Sequence, residues 1–405
     1  MQALLFSYLR WEKMELSKRQ QMQSMQILEK LYADGATSRI ELAKTLHITP
    51  ATVSDITAVL INDGVIEEVG IDTNDTNVGR RKILLDVLGN YRYYVGVELT
   101  QEYIAIALTD HIGTKIANKQ FLNNNKLLLT PENLVIQIQS FLSNYTQYPI
   151  AALGLAVPGY YDNQSKTIQT DNPYWNNFDI GFVMDAFPFD VYCKNKVHAL
   201  SYHLRYFNKD DVNKDNFSLF HIRSGMSCTF MYNGNIYGEF NPNVGEIGHV
   251  SVNPDGPLCS CGNRGCLQTY IGQPALLEKA QLLYRSGNAT LNSLVGDERD
   301  ISLETVLLAY ELGDLSITST INQALEALAG VIHNSGMVID AYQIYMHGNI
   351  FENKHIQQVF QEKMARFNEI FSFTRKKNYH ILNFDLYDSA LGGCALALYR
   401  DLLQK

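Results

Sequence analysis

The chain has 405 residues, of which 46% are hydrophobic and 19% charged, and its net charge at pH 7 is −9. This length predicts more than one domain, and the acidic balance argues against broad, non-specific coating of nucleic acid. The sequence has neither a bilayer-spanning apolar stretch nor a signal peptide, so we expect a cytoplasmic protein without membrane contact, whose six cysteines stay reduced.

The first predicted elements are three helices. Residues 20–35 show helical apolar spacing, and two shorter helices follow. Ser38 and Glu41 predict a capping box at the start of the first short helix, and Thr49 and Pro50 suit the N-cap and first position of the second. The apolar stripe of the first short helix is Ile40, Leu42, Ala43 and Leu46. Two short helices joined by a tight turn predict a helix-turn-helix.

A wing is predicted after these helices. Strands at 65–70 and 82–88 flank a polar segment whose Arg80 and Arg81 are placed to contact phosphate or a minor groove. The start of the last helix carries small side chains that fit a major groove, namely Thr49, Ala51, Thr52 and Ser54. Charge does not decide the matter, because residues 1–85 hold ten Lys or Arg and eleven Asp or Glu. A purely structural three-helix bundle is the alternative.

From about residue 90 the pattern changes. Short β-rich runs such as YYVGVELT and YIAIALTD alternate with helical segments, including the long amphipathic run TSTINQALEALAGVIHNSGMVID. Strand meanders that alternate with helices predict an α/β body.

One histidine and three cysteines form the most specific cluster: His249, Cys259, Cys261 and Cys266. Thiolate and imidazole in an S₃N set suit tetrahedral zinc, and Gly262 and Gly265 let the loop fold back on itself. Because the protein fills all four positions, such a zinc would be structural and would have no open position for an activated water. A redox pair would normally be C-x-x-C, and a disulfide is not expected in a reducing compartment.

These residues resemble the signature of the ROK family (repressors, open reading frames and sugar kinases). The segment GEIGH followed by CSCGNRGCLQT is similar to E-x-G-H followed by C-x-C-G-x-x-G-C-x-E, and GLAVPGYYD and TDNPYWNNFDI resemble further family segments. A preceding winged helix-turn-helix is typical of the family's repressors of the xylose type, whereas its kinases lack one. The resemblance implies an α/β fold with an N-terminal winged helix-turn-helix at 1–88 and a two-lobed, actin-like effector-binding and dimerisation domain at 89–405.

The resemblance also implies roles for single residues. The zinc ligands would be His249, Cys259, Cys261 and Cys266. Glu246 and His249 would contact sugar hydroxyls in the cleft, Asn195 would correspond to the asparagine of the family's N-D pair, and Asn172 would line the same cleft. A loop asparagine without a ligand is the alternative for Asn195.

Three departures from the family pattern predict the absence of kinase activity. Lys196 stands where the family's kinases have the aspartate base, and a protonated lysine does not readily accept a proton. The stretch ELTQE at 98–102 replaces the glycine-rich D-x-G-G-T turn, and RSGMSCT at 223–229 keeps only Gly225 of the second phosphate loop.

Two of the changed positions concern the ligand. Gln268 replaces the last glutamate of the signature, so that with Lys196 two acidic positions are neutral and positive. An anionic effector such as a sugar phosphate or sugar acid is one interpretation, with Lys196 as its counter-charge. Pairing of Lys196 with Glu246, with no sugar bound, is the other.

The sequence therefore predicts a sugar-responsive transcriptional repressor of carbohydrate genes. Its expected partners are double-stranded operator DNA and a small carbohydrate or carbohydrate-derived effector, with structural Zn²⁺ and a homodimeric or homotetrameric state. The alternatives are a carbohydrate kinase with an added DNA-binding module, and a repressor whose sugar site is non-functional.

Overall fold

The computed structural model of the chain divides into two compact units. Unit 1 combines Met1–Lys214 with Leu386–Lys405, and unit 2 is Asp215–Asp385. The described residues are 16–71, 82–123, 129–170, 172–208, 214–223, 225–368 and 377–404. The winged-helix residues share unit 1 with the first half of the body, and the domain boundary at residue 88 stays a prediction.

Helices and strands alternate along the chain. The helices are α1 Lys18–Asp34, α2 Arg39–Thr45, α3 Pro50–Asn62, α4 Pro131–Leu142, α5 Ile180–Asp185, α6 Lys196–Tyr206, α7 Gln268–Ile271, α8 Gln273–Arg285, α9 Ala289–Leu294, α10 Leu303–Glu311, α11 Leu315–Val338, α12 Lys354–Asn368 and α13 Asp388–Leu398. The strands are β1 Thr37–Ser38, β2 Ile66–Ile71, β3 Ile83–Val87, β4 Tyr93–Leu99, β5 Tyr103–Thr109, β6 Lys115–Leu122, β7 Ile150–Val157, β8 Tyr160–Asp162, β9 Thr167–Gln169, β10 Asp190–Asn195, β11 Phe217–Ile222, β12 Met226–Tyr232, β13 Asn235–Ile236, β14 Gln343–His347 and β15 Asn378–Ile381. None of the described helices is long and apolar enough to cross a membrane.

The N-terminal helices and strands form a winged helix, as predicted. Strands β1, β2 and β3 pair antiparallel in the order β1-β3-β2. The Thr49 side chain accepts a hydrogen bond from the Thr52 N–H and so caps α3, whose first position is Pro50. Gly64, at φ 69°, follows the end of this helix in a conformation that glycine adopts without strain. The predicted start and stop signals of α3 are confirmed.

One part of the predicted apolar stripe is wrong. Leu42 and Ala43 are buried, but Ile40 is 64% exposed. Positions 40 and 42 lie about 200° apart around a helix, so the single buried face of α2 cannot include both. The Ser38 half of the predicted capping box is present, since its hydroxyl accepts from the Glu41 N–H.

The body of unit 1 is built on a five-stranded sheet in the order β10-β7-β4-β5-β6. Strands β4, β7 and β10 are parallel, and β5 and β6 continue as an antiparallel meander. Helix α13 lies directly on the sheet, because a Cβ on Gly96 would fall 1.8 Å from the Ala390 carbonyl oxygen. The core contains the buried faces of β4, β5, β7 and α4.

Unit 2 repeats this sheet pattern. Its strand order is β13-β12-β11-β14-β15, with β11, β14 and β15 parallel and β12 and β13 antiparallel. The predicted hairpin turn at Asn233 and Gly234 has φ of 47° and 74°, as a tight turn of this composition requires. The long helix α11 is buried along one side and packs against α12 and α7.

Candidate functional site

The cysteine cluster of unit 2 lies in a loop between a short 3-10 helix, Ile247–His249, and α7. The loop folds back because Gly262 and Gly265 adopt φ of 89° and 65°. A Cβ on Gly265 would fall 1.6 Å from the Asn253 carbonyl oxygen, so no other residue fits there. The predicted role of both glycines is confirmed.

The fold brings the four predicted metal ligands together. One ligand atom from each of His249, Cys259, Cys261 and Cys266 lies within 4.8 Å of all the others. The Cys261 and Cys266 sulfurs are 3.7 Å apart, as are the Cys259 sulfur and His249 Nδ1. Sulfurs in a tetrahedral site with Zn–S bonds of about 2.3 Å are roughly 3.8 Å apart, whereas a disulfide requires about 2.05 Å. This donor set could hold a metal ion.

Gln268 contacts this cluster directly. Its Nε2 donates to the Cys259 sulfur at 3.0 Å and to Ser260 Oγ at 3.3 Å. Burial raises the pKa of the Cys259 thiol, but hydrogen bonds from the Cys261 backbone and the Gln268 amide outweigh it and lower the pKa to about 6. Burial and the neighbouring thiols raise the pKa of Cys266 to about 12. The amide of Gln268 therefore stabilises a thiolate, which a carboxylate could not do.

In unit 1, the candidate effector residues lie where the parallel strands end. Asn195 is the last residue of β10 and pairs in register with Val157, the last residue of β7. Both Asn195 and residues 169–170 contact Gly159, which lies two residues after Val157. Asn172, two residues further on, N-caps a 3-10 turn and accepts from Gln101 Nε2 at 3.4 Å. Ligands of open α/β sheets bind at this carboxyl edge.

Asn195 also has a structural role. Its Oδ1 accepts from the Val197 N–H at 2.8 Å and its Nδ2 donates to the Gly159 carbonyl at 2.8 Å. It thereby caps α6 and holds the turn after β7, and one lone pair and one N–H stay available for a ligand. Lys196 is the first residue of α6 and is half-buried.

The other candidate effector residues lie in unit 2, beside the cysteine loop. Glu246 is the residue before the 3-10 helix that ends at His249. A Cβ on Gly248 would fall 3.2 Å from Gln268 Oε1, so the GEIGH segment passes directly beside this side chain. Unit 2 thus groups Glu246, His249 and Gln268 around one loop.

The structure describes residues in both stretches that the sequence analysis compared with the phosphate loops of the family's kinases. Glu98 is the penultimate residue of β4 and is fully buried, and the Tyr103 hydroxyl donates to its carboxylate at 3.3 Å. In the second stretch, the Arg223 N–H donates to the Gly225 carbonyl at 3.0 Å.

The candidate DNA-contacting residues lie at the start of α3. Thr49, Ala51 and Ser54 are exposed and Thr52 is half-buried. The Thr49 and Thr52 hydroxyls are 2.8 Å apart, so they hydrogen-bond each other at the start of the helix. Arg80 and Arg81 lie outside the described residues.

Some contacts had no signal in the sequence. Arg39 of α2 donates to the buried Thr57 hydroxyl of α3 and pairs with Glu68 of β2, which ties the winged helix together. Arg205 of α6 pairs with Glu29 of α1. Each bond joins residues at least 18 positions apart, and no local spacing predicts such pairs.

Together, the fold and the site define a class of protein: a winged helix-turn-helix followed by an α/β body with two similar sheets and a Cys₃His loop. The ROK family profile matches residues 94–398, and a winged helix-turn-helix DNA-binding profile matches residues 24–67. The chain therefore belongs to the ROK family, and the predicted fold class is confirmed.

Proteins of similar sequence include two sugar repressors. The xylose repressor of Bacillus subtilis (strain 168) is 28% identical over 259 residues, 63% of this chain and 67% of that protein. The N-acetylglucosamine repressor of Escherichia coli O157:H7 is 27% identical over 327 residues, 78% of each chain.

Solved structures share the fold. A ROK family transcriptional regulator, a homologue of the E. coli MLC protein, has a TM-score of 0.76 over 95% of this chain and 98% of its own, at 21% identity. A ROK family glucokinase from Streptomyces griseus, in complex with glucose and AMPPNP, has a TM-score of 0.64 over 75% of this chain and 99% of its own, at 18% identity.

Proposed function

We propose that this protein is a sugar-responsive transcriptional repressor of carbohydrate genes that has no kinase activity. The observation that carries the proposal is the winged helix, whose α3 starts with exposed small polar side chains, on a ROK body. Relatives that match 85% and 78% of the chain are named xylose repressor and N-acetylglucosamine repressor. The proposed DNA contacts are Thr49, Ala51, Thr52, Ser54, Arg80 and Arg81.

The effector is proposed to be a carbohydrate or carbohydrate derivative. The proposed effector residues are Asn172, Asn195, Lys196, Glu246, His249 and Gln268. The effector would bind preferentially to an arrangement of the protein that binds DNA weakly. Effector binding would therefore lower the affinity of the protein for DNA. The protein is proposed to bind a palindromic operator as a homodimer, with recognition helices about one DNA turn apart.

The test is to select an operator with the full chain from a random duplex library and then to ask which metabolite releases it. We expect specific binding, and release by a sugar, a sugar phosphate or a sugar acid. ATP consumption across the same compounds should stay at background. Turnover of ATP would establish the kinase alternative, and a selected operator that no compound releases would favour a repressor with a non-functional sugar site. Rescue of neutral-sugar binding by Lys196→Asp, without binding of any anion to the wild type, would contradict an anionic effector.

We also propose that His249, Cys259, Cys261 and Cys266 bind one structural zinc ion. The S₃N donor set and the sulfur spacing fit tetrahedral zinc, which when bound cross-links the loop to the GEIGH segment. These residues leave no position for a reacting water, so the ion would support folding.

Elemental analysis tests the zinc site. We expect about one zinc per chain in the wild type and a clear loss in Cys261→Ser, with a lower melting temperature. The matched control is Cys193→Ser, a buried cysteine on β10 that is outside the cluster, whose zinc content should equal that of the wild type. Equal zinc content in Cys261→Ser and the wild type would contradict the proposed ligand set.

A further inference from the structure

Helix α6 runs between the proposed effector residues of unit 1 and the contacts with helix α1. It begins at Asn195 and Lys196, which are proposed above as effector residues. Its last turn contains Arg205 and Tyr206, which are 3% and 2% exposed. The helix has 11 residues and is therefore ~16 Å long. A single helix thus runs from the proposed effector residues to the buried contacts of its last turn.

The first of these contacts is an ion pair with the winged helix. Arg205 Nη2 lies 3.1 Å from Glu29 Oε1 on α1. The same guanidinium donates to the Lys214 carbonyl at 2.7 Å and to the Tyr206 hydroxyl at 3.2 Å. Three bonds fix the position of the Arg205 guanidinium. A displacement of α6 would therefore carry this guanidinium with it and act on Glu29 of α1.

An aromatic contact reinforces the ion pair. The ring of Tyr32 on α1 meets Tyr206 edge-on with centroids 6.2 Å apart, and the Tyr32 hydroxyl donates to the His111 carbonyl at 3.1 Å. Helix α1 packs in turn against α3 and β3 of the winged helix. The chain of contact therefore continues from α6 through α1 to the proposed recognition helix.

Helix α6 is also tightly supported along its length. A Cβ on Gly392 of α13 would lie 2.7 Å from the Ala199 carbonyl carbon, so the two helix backbones touch. Tyr202 and Tyr206 stack on Tyr399, just beyond α13, at 4.5 and 5.8 Å. Close packing of this kind favours movement of a helix as one body over local bending.

We propose that α6 transmits effector binding to the DNA-binding module, with the pairs Arg205–Glu29 and Tyr206–Tyr32 as the joint. This inference rests on the proposed function. Glu29 and Arg205 act as positioning residues, since they are assigned no contact with effector or DNA. Coupling free energies are reciprocal, so DNA bound at α3 must change the affinity for an effector by the same factor as the effector changes the affinity for DNA. We therefore expect bound DNA to alter the first turn of α6, where the effector would bind.

Hydrogen exchange of the full chain tests the joint without an identified effector. The probe is a duplex that the wild type selects from a random library. In the wild type, saturating duplex should change exchange in the first turn of α6, residues 195–199, by about fivefold, the lower end of usual allosteric couplings. In Glu29→Ala the change should fall below about twofold while the affinity for the duplex stays within about twofold of the wild type.

Two further variants make the result decisive. Asp34→Asn on the same helix removes the Lys30–Asp34 pair, which does not involve α6, and should respond as the wild type does. Glu29→Gln keeps the size and one acceptor, and stands in if Glu29→Ala does not fold. The proposed joint is contradicted if both Glu29 variants show the full exchange response of the wild type. It is also contradicted if the wild type binds the duplex without any change of exchange in α6. Neither result contradicts the proposed function. A wild type that selects no duplex overturns the proposed function itself.

Discussion

His111 is a residue whose usual chemistry is changed by burial. It is fully buried in unit 1, with ring contacts to Tyr32, Tyr91 and Tyr94. Neither ring nitrogen has a hydrogen-bond partner among the described residues. Burial, and then the positive charge of Arg92, lower the pKa of His111 to about 3. The imidazole is therefore neutral in the folded protein at any pH above this value.

This lowered pKa predicts acid sensitivity. The unfolded chain binds a proton at His111 below pH 6.5, the ordinary value, and the folded chain does so only near pH 3. Stability from this residue is therefore complete above pH 6.5 and falls as the pH drops from 6.5 towards 3. Between pH 7 and pH 5 the loss should be about 2 kcal/mol. His111→Phe should unfold with a correspondingly smaller difference between these two pH values, measured by urea titration of each protein.

The control is the exposed residue His355. His355→Phe should keep the full pH dependence of the wild type, because its side chain is exposed to solvent in the folded chain as it is in the unfolded chain. If His111→Phe and His355→Phe lose stability equally on acidification, the acid sensitivity comes from other groups.

At the scale of elements, two helical glycines differ in what surrounds them. A Cβ on Gly392 of α13 would meet the Ala199 and Leu200 backbones of α6 at 2.7 and 2.8 Å. A Cβ on Gly330 of α11 would meet nothing within 4 Å. The same substitution therefore tests packing in one helix and conformational preference alone in the other.

Gly392→Ala should destabilise the protein by about 1–3 kcal/mol or more, because backbone atoms cannot move aside without shifting α6. Gly330→Ala should be neutral or stabilise by up to about 1 kcal/mol, since alanine favours a helix over glycine. Thermal and urea unfolding of both variants measure the difference. Equal effects of the two substitutions would show that the contact between α6 and α13 is looser than described.

Signals that are contiguous in the sequence predicted their elements well. Thr49 and Pro50 mark the start of α3, and Gly262 and Gly265 mark the fold of the cysteine loop, because caps and turns are determined by neighbouring backbone atoms. Ile40 misled because apolar character alone does not say which face of a short helix packs. Its exposure could be assigned only once the partner of α2 was known.

At the scale of the whole molecule, the contacts that join elements could not be predicted. Glu29 and Arg205 are 176 positions apart, and neither stands in a pattern of its own. The hydrogen bond from Gln268 to the Cys259 sulfur depends on how α7 packs against the loop. The sequence therefore suggested only an effector contact for Gln268. Local sequence patterns predicted the elements and the four residues of the cysteine cluster, whereas contacts between elements depend on the tertiary fold.

The net charge of −9 makes local charge decisive for DNA binding. An acidic molecule is repelled by DNA over long distances, so its affinity must come from basic groups at the contact itself. Arg80 and Arg81 are the adjacent arginines in the predicted wing. If both neutralise phosphates, each releases about one counterion on binding.

Arg80→Ala with Arg81→Ala should therefore weaken operator binding and reduce the slope of log affinity against log salt by about 2 per chain. Fluorescence anisotropy with the selected duplex over a range of salt concentrations measures both. The control is Arg285→Ala with Arg299→Ala, which removes the same charge from exposed arginines of unit 2. If the wing contacts DNA, only the variant without Arg80 and Arg81 has a smaller salt slope. Equal changes of slope in both double variants would mean that the effect comes from net charge and that the wing does not contact the DNA.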